Sequence, residues 1–258
     1  MKLDDNPLRV VQITDTHLFA DPRRCLMGCD SQASLERVLA HLRSQADPPD
    51  VLLATGDLVH DDQPDGYRRL AALLEAFQVP VFCLPGNHDD PGLMATHLNQ
   101  GWVRTLSHSL QGGWALLFLN TRVPGSAAGH LADLELQRLS ADLERFRHLP
   151  TLVCLHHNPV PVGSTWLDRM RVDNGAQLLE LLAGHAQVKA LLWGHVHQVY
   201  DAWYQHIRLL ASPSTSAQFL PFSNGFDLDS QPPGFRWLRL WRDGRLDTGV
   251  VRIPETTA

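Results

Sequence analysis

The chain has 258 residues, of which 44% are hydrophobic. It is long enough to bury a substantial core, and we expect one domain over residues 1–258. Its formal net charge of -6 and its scattered arginines argue against a dedicated nucleic-acid binder. Because no apolar run could cross a bilayer and no secretory signal opens the chain, we expect a cytoplasmic protein without a membrane partner.

The first third of the chain alternates strand-like runs with helical periodicity. Three apolar runs predict β-strands: LRVVQIT (8–14), DVLLAT (50–55) and VPVFCL (79–84). Between them, apolar residues at helical spacing predict one helix behind the N-cap candidate Ser31 and a second helix through residues 67–77. This alternation favours an α/β domain with a largely parallel sheet.

The rest of the chain continues this pattern and then changes character. Further strands are predicted at WALLFLN (114–120), TLVCL (151–155) and VKALLW (188–193). Helices are expected through residues 139–146 and near 175–184. At the end, residues 235–241 and 246–253 predict an antiparallel hairpin with a two-residue turn at Asp243-Gly244. The strand-rich last third predicts a second sheet that packs on the first.

Five predicted strands are followed by side chains that carry oxygen or imidazole nitrogen. These side chains are Asp15 and His17, Asp57, Asn87 and His88, His156, and His195 and His197. In an open α/β sheet, ligand sites lie beyond the carboxyl ends of the strands, so we expect the five clusters to converge. Carboxylate, amide and imidazole ligands suit Zn, Mn or Fe, and the lack of cysteine among them argues against a structural zinc finger.

The number and spacing of these residues indicate two metal ions. Asp15-x-His17 and His195-x-His197 each place two side chains on one face if the backbone is extended. About seven ligands would crowd one ion, whereas a carboxylate such as Asp57 could bridge two ions. Taken singly, each cluster is ordinary, since Gly-Asp forms turns and most histidines are structural. Their joint placement favours a metal site, beside which His157 is expected to pack or hydrogen-bond.

The blocks D-x-H, G-D, G-N-H-D, H and G-H-x-H, in this order, resemble the calcineurin-like metallophosphoesterase superfamily. Further segments are similar to the bacterial class III cyclic-AMP phosphodiesterases of the CpdA type: HHNPVP (156–161), GHVHQ (194–198), SPST (212–215) and PPGFRWLRL (232–240). The resemblance extends from about residue 8 to residue 253. It implies a four-layer αββα sandwich, in which two mixed sheets are flanked by helices.

The resemblance also implies a ligand set for each metal ion. One ion would be bound by Asp15, His17, Asp57 and His197. The other would be bound by Asp57, Asn87, His156 and His195. The family favours Fe or Mn, in divalent or mixed-valence pairs, and Zn is an alternative. Substrate contacts are implied for His17, Asp57, Asn87, His88, His156 and His197.

The implied reaction is hydrolysis of 3′,5′-cyclic AMP to 5′-AMP. A hydroxide that bridges the metals would attack phosphorus in line. His88 would then protonate the leaving ribose oxygen. The alternatives are hydrolysis of another small phosphodiester or phosphomonoester, such as a glycerophosphodiester, a 2′,3′-cyclic nucleotide or a nucleotide sugar, and a catalytically silent scaffold. The partner would be a small molecule, and both a monomer and a homodimer stay open.

Two further features concern the surroundings of the reacting phosphate. Many relatives outside the class III group have an aspartate three residues after the bridging one, which orients the catalytic histidine. His60 stands at this position here, so Asp61, Asp89 or a backbone carbonyl could orient His88 instead, or His88 could act mainly as an electrostatic stabiliser. Trp166 either lines the substrate pocket or anchors its loop in the core.

Overall fold

The computed structural model describes residues 6–254. Its strands, in chain order, are β1 Leu8–Ile13, β2 Cys25–Leu26, β3 Cys29–Asp30, β4 Val51–Thr55, β5 Val81–Leu84, β6 Val103–Arg104, β7 His108–Gln111, β8 Trp114–Phe118, β9 Thr151–Cys154, β10 Val188–Trp193, β11 Tyr200–Tyr204, β12 Ile207–Ala211, β13 Gln218–Phe219, β14 Leu228–Asp229, β15 Gly234–Leu240 and β16 Leu246–Arg252. Its helices are α1 Ser31–Ser44, α2 Pro64–Glu75, α3 Pro91–His97, α4 Asp133–Arg145, α5 Thr165–Asp168 and α6 Gly175–Ala183.

The first large sheet has six strands in the order β16-β15-β1-β4-β5-β6. Strands β1, β4, β5 and β6 are parallel, and β15 joins antiparallel to β1 with Val10 opposite Leu238. The C-terminal hairpin therefore extends this sheet. The prediction that the last third contributes to a second sheet is confirmed for β10, β11 and β12 but not for the C-terminal hairpin, because β15 pairs with β1 of the first sheet.

The second large sheet comes from the middle of the chain, in the order β11-β12-β10-β9-β8-β7. Strands β8, β9, β10 and β12 are parallel, whereas the edge strands β7 and β11 are antiparallel to their neighbours. Both large sheets are thus mixed, with parallel strands at their centres. Strands β7, β11 and β12 of this sheet were not predicted from the sequence.

Three apolar layers hold the sheets and helices together. Leu53, Trp114 and Leu192 belong to the layer between the two sheets, and all three are fully buried. On the outer face of the first sheet, helices α1 and α2 pack their apolar residues, such as Leu39. On the outer face of the second sheet, α4 and α6 do the same, for example with Leu139. The predicted four-layer αββα sandwich is confirmed.

Two local predictions at element ends are corrected. Asp30, rather than Ser31, caps α1, because its carboxylate accepts a hydrogen bond from the backbone N–H of Ala33 at 2.9 Å. The connection between β15 and β16 is longer than a two-residue turn. Trp241 N donates to Arg245 O, and Gly244 takes a left-handed φ of 88° inside the loop that they close.

A buried polar network ties the two sheets together near the carboxyl ends of β1, β4 and β10. The amide of Gln12 in β1 donates to Thr55 Oγ1 at 2.7 Å in the same sheet and to the Trp193 carbonyl at 3.1 Å in the other. Ser212 Oγ donates to the remaining amide oxygen of Gln12. Because each of these groups is satisfied only when the sheets are in register, the network fixes the relative position of the strand ends.

No helix within residues 6–254 combines the length and apolar character that crossing a membrane requires. The longest described helix, α1, has 14 residues, and its outer face carries exposed polar side chains.

We predict that Leu53→Ala destabilises the fold by about 2–5 kcal/mol, because it leaves a cavity between the two sheets. Leu134→Ala is the matched control, since Leu134 lies on α4 with 77% of its surface exposed, and it should change the free energy of unfolding by less than about 0.5 kcal/mol. Urea denaturation followed by circular dichroism measures both. Equal losses in the two variants would contradict the packing described here.

Candidate metal centre

The predicted ligand residues converge at the carboxyl ends of strands from both sheets. Asp15 and His17 follow β1, Asp57 follows β4, and Asn87 follows β5. From the second sheet, His156 follows β9, and the pair His195 and His197 follows β10. All but Asn87 have buried side chains, and Asn87 is half-buried with its amide oxygen fully shielded.

One group of potential ligand atoms forms where β1 meets β10. Nε2 of His197 lies 3.3 Å from Oδ1 of Asp15 and 3.2 Å from Nε2 of His17. Asp15 is itself held in place, because it accepts hydrogen bonds from Thr14 Oγ1 at 2.7 Å and from the His195 backbone N–H. The atoms of Asp15, His17 and His197 all lie within 4.8 Å of one another, close enough to share one cation.

A second group lies on the other side of Asp57. Nε2 of His156 is 3.4 Å from Oδ1 of Asp57 and 4.0 Å from Oδ1 of Asp15. The amide oxygen of Asn87 and the Nε2 atoms of His156 and His195 are buried without any hydrogen-bond partner. Buried polar atoms are normally paired, so three orphaned acceptors at one place fit a site for a cation.

The Asp57 carboxylate stands between the two groups. Its Oδ2 lies 3.7 Å from Nε2 of His17 in the first group, while its Oδ1 faces His156 in the second. The backbone N–H of His88 donates to Oδ1 at 2.9 Å, which fixes the orientation of the carboxylate. This arrangement lets one side chain reach cations on both sides, as a bridging ligand does.

Hydrogen bonds to backbone carbonyls orient two of the imidazoles. His156 donates from Nδ1 to the Thr55 carbonyl at 2.9 Å, and His197 donates from Nδ1 to the Ala217 carbonyl at 2.7 Å. With the proton on Nδ1, each ring turns the lone pair of Nε2 toward the centre. Such a partner behind the ring is typical of histidines that bind metal.

Electrostatics favour positive charge at the centre. Burial alone would raise the pKa of Asp57, but the imidazoles of His156 and His17 hold it well below its usual range. Burial would lower the pKa of His156, but the carboxylates of Asp57 and Asp15 raise it to about 9. The same negative charge that raises the pKa of His156 would stabilise a metal cation bound at this place.

The backbone at these positions is strained rather than extended. Asp15, His17, Asp57, His195 and His197 all have a left-handed φ, between 44° and 64°. The expectation that Asp15 and His17, or His195 and His197, share a face of an extended chain is therefore wrong. They converge because alternate residues turn into the left-handed region, which costs about 1–3 kcal/mol per residue and is typical of functional sites.

The loop that carries Asn87 and His88 is anchored by Asp89. This carboxylate accepts hydrogen bonds from the backbone N–H groups of Leu58, Val59 and Gly86, at 2.9–3.1 Å, and from the Tyr67 hydroxyl at 3.0 Å. Burial, with a smaller contribution from Asp57, raises the pKa of Asp89 to about 6. Asp89 therefore positions the loop. Its carboxylate oxygens are occupied by these donors and not by the His88 side chain.

A cavity of about 170 Å³ opens above the centre and has two chemically different ends. Its polar end is lined by seven side chains, which are those of His17, Asp57, His60, Asn87, His88, His195 and His197. Its other end is lined by apolar side chains, which are Leu26, Met27, Ala127, Trp166, Leu167, Met170, Phe219 and Phe226. The ring of Phe219 stacks on the metal-facing imidazole of His197, with centroids 4.0 Å apart.

Trp166 fulfils both roles that the sequence left open. It lines the cavity, and its ring makes edge contacts with Phe219 and Phe226 at 5.1 and 5.3 Å. It also anchors its loop, because Nε1 donates to Ser223 Oγ at 3.1 Å. Sequence reasoning missed Phe219 and Phe226 as pocket residues, since no periodicity marks them and they come together with Trp166 only in the folded chain.

His157 lies behind the second group, where its Nδ1 is 2.7 Å from Thr121 Oγ1. Its ring is fully buried and packs against His195, with centroids 4.6 Å apart. These contacts agree with the predicted supporting role. Thr121, which follows β8, was not singled out in the sequence.

We predict that Gly86→Ala weakens Mn²⁺ binding by about tenfold or more, since a Cβ at this position would collide with the carboxylate and backbone nitrogen of Asp57. Gly225→Ala is the control, because an added Cβ there meets nothing within 4 Å, and it should bind Mn²⁺ as the wild type does. Isothermal titration calorimetry measures both affinities. Unchanged binding in Gly86→Ala would contradict the placement of Asp57 at the centre.

Comparison with known proteins agrees with this geometry. A family model described as calcineurin-like phosphoesterase matches residues 8–199. The chain is 39% identical over 253 residues to the 3′,5′-cyclic adenosine monophosphate phosphodiesterase CpdA of Pseudomonas aeruginosa, covering 97% of this chain and 92% of that protein. It is 38% identical over 250 residues to the protein of the same name from Escherichia coli K12, covering 96% and 91%.

Solved structures agree at the level of the fold. A dimetal phosphatase from Danio rerio superposes with a TM-score of 0.65 at 18% identity, covering 96% of this chain and 99% of the other. The family fold implies a dinuclear metal centre, for which the chain supplies clustered carboxylates and imidazoles. With its sandwich fold, a family match over most of its length and relatives at this identity, the chain belongs to the calcineurin-like phosphoesterase family.

Proposed function

We propose that this protein is a dinuclear-metal phosphodiesterase that hydrolyses 3′,5′-cyclic AMP to 5′-AMP. The observation that carries the proposal is the Asp57 carboxylate, which faces two groups of ligand atoms at the floor of a cavity with an apolar far end. The names of the Pseudomonas and Escherichia relatives support cyclic AMP as the substrate. One domain would carry the whole reaction, because both sheets contribute residues.

In this proposal the two groups of side chains hold one metal ion each. Asp15, His17, Asp57 and His197 bind the first ion, and Asp57, Asn87, His156 and His195 bind the second. Mn or Fe suits this mixture of oxygen and imidazole ligands, and Zn is the alternative. When bound, the ions supply a hydroxide at neutral pH and offset the negative charge that develops on the phosphate.

His88 is the proposed proton donor to the leaving 3′ oxygen of the ribose. Its imidazole lines the polar end of the cavity and is half-buried, so it can meet the substrate while remaining in contact with solvent. Its backbone is tied to Asp57 through the 2.9 Å hydrogen bond from its N–H, which keeps the ring beside the ligand atoms. A donor in this place avoids the release of a strongly basic alkoxide.

The apolar end of the cavity would receive the adenine base. Met27, Trp166 and Phe226 offer flat or adaptable apolar surfaces for a purine ring, with the phosphate at the opposite end. Met27 and Phe226 are about half exposed, at 47% and 52%, so substrate binding would cover apolar surface that now faces solvent. A smaller diester without a base would leave this surface uncovered, which favours a nucleotide over a glycerophosphodiester.

Parallel product analysis tests the proposal. Mn²⁺-loaded protein is given 3′,5′-cyclic AMP, 3′,5′-cyclic GMP, 2′,3′-cyclic AMP and bis(4-nitrophenyl) phosphate, with Asn87→Ala purified in the same way as the control. We expect 5′-AMP from cyclic AMP with a kcat/KM above that of 2′,3′-cyclic AMP, and severe loss in Asn87→Ala because a ligand oxygen is removed. Intact cyclic AMP beside rapid aryl ester hydrolysis would assign the site to another phosphodiester. No turnover of any substrate by metal-loaded protein would favour the scaffold alternative.

A second prediction concerns His88. His88→Ala should retain its bound metal, since His88 is outside both ligand groups, but should lose about 100-fold or more in kcat for substrates with poor leaving groups. Esters of 4-nitrophenol, whose anion leaves without protonation, should lose much less. Metal analysis together with kcat for an aryl series measures this difference. Equal losses for good and poor leaving groups would exclude proton donation by His88.

A further inference from the structure

We propose that His60 is a positioning residue, which accepts a hydrogen bond from His17 and holds the His88 ring by stacking. The two contacts use different parts of one imidazole, a ring nitrogen for His17 and the ring face for His88. The proposal deepens the function proposed above and rests on it for the role of His88 as proton donor. The contact with His17 rests on the distance between the two rings, and its direction on the role of His17 as a metal ligand.

The contact with His17 involves the nitrogen that faces away from the ligand cluster. Nε2 of His17 points toward His197 and Asp57, so the proton of a metal-binding His17 must be on Nδ1. Nδ1 of His17 lies 3.1 Å from Nδ1 of His60, which is therefore the acceptor. In His156 and His197, backbone carbonyls accept the corresponding hydrogen bond. For His17 the acceptor is a side chain, which a substitution can remove.

The contact with His88 is a ring stack. The imidazoles of His60 and His88 have centroids 4.3 Å apart and planes inclined by only 24°, whereas His17 meets His88 edge-on at 5.3 Å. His60 also packs against Phe19, with ring centroids 4.9 Å apart, and its backbone N–H donates to the Leu18 carbonyl at 2.7 Å. His60 is thus fixed by its own neighbours and can define the plane of the His88 ring.

Carboxylates that the sequence offered as partners of His88 are engaged elsewhere. Asp61 accepts hydrogen bonds from the Ala20 backbone N–H at 3.1 and 3.2 Å and lies 3.5 Å from Arg24. Asp89 binds backbone N–H groups and Tyr67, as described above. The side chain that stacks on the His88 ring is that of His60, which stands where many relatives have an aspartate.

Two substitutions separate the two contacts. His60→Phe keeps a ring to stack on His88 but lacks the acceptor for His17. His60→Asn places an amide oxygen near the position of Nδ1, so it keeps the acceptor but lacks the ring. Asp61→Asn is the neighbouring control. Each variant is measured for Mn²⁺ affinity by calorimetry, and for kcat at saturating Mn²⁺ on 4-nitrophenyl and phenyl phosphodiesters.

The account predicts opposite effects in the two variants. His60→Phe should bind Mn²⁺ about tenfold more weakly, because the metal ligand His17 loses its hydrogen-bond partner. The ratio of kcat on the phenyl ester to kcat on the 4-nitrophenyl ester should stay unchanged. His60→Asn should keep its Mn²⁺ affinity within about threefold of the wild type. Its loss in kcat should be about tenfold larger on the phenyl ester than on the 4-nitrophenyl ester, because a misplaced His88 keeps only part of the rate gain that a general acid contributes. Asp61→Asn should match the wild type in both measurements.

Each contact can be overturned separately. Wild-type Mn²⁺ affinity in His60→Phe would contradict the hydrogen bond to His17, and an unchanged kcat ratio in His60→Asn would contradict the stack on His88. Parallel losses of both quantities in both variants would assign His60 a general structural role and overturn the proposal. Should phenylalanine prevent folding, His60→Ala replaces it in the metal titration. Because aryl esters are used, these outcomes stay interpretable even if cyclic AMP is not the substrate.

Discussion

The position of the Asp57 carboxylate is the constraint on which the rest of the centre depends. Its two oxygens face two ligand groups, each of which draws side chains from both sheets, and a backbone N–H from the His88 loop fixes its orientation. Bringing this carboxylate out of β4 requires a left-handed residue at Asp57 directly after Gly56. The energy that this strain costs is offset by the apolar layers of the sandwich, which hold the strand ends in place.

The sandwich serves the site by aligning strand ends that are far apart in the sequence. Gln12 links Thr55 in its own sheet to the Trp193 carbonyl in the other, within a few residues of Asp15, Asp57 and His195. A shift of one sheet against the other would break these buried hydrogen bonds. It would also move apart the ligands within each group, because each group draws side chains from both sheets. The same contacts that stabilise the fold therefore set the distances between the candidate ligands.

Much of this site was predictable, because its residues follow apolar strands and strand ends of parallel sheets meet at one edge. The convergence of Asp15, Asp57 and His156 could be inferred in this way. Contacts that depend on side-chain packing could not: the stack of His60 on His88 and the approach of Phe226 to Trp166 leave no periodic signal. The same holds for pairing partners, so the C-terminal hairpin was recognised but assigned to the wrong sheet.

The central claim is that two groups of ligands, joined by Asp57, hold two metal ions side by side. Electron paramagnetic resonance of the Mn²⁺-loaded protein, combined with metal analysis, tests it most directly. The account predicts two Mn²⁺ ions per chain with the spectrum of a magnetically coupled pair, and loss of the coupling in Asp57→Asn. One ion per chain, or two ions with the spectrum of isolated Mn²⁺, would contradict a shared centre.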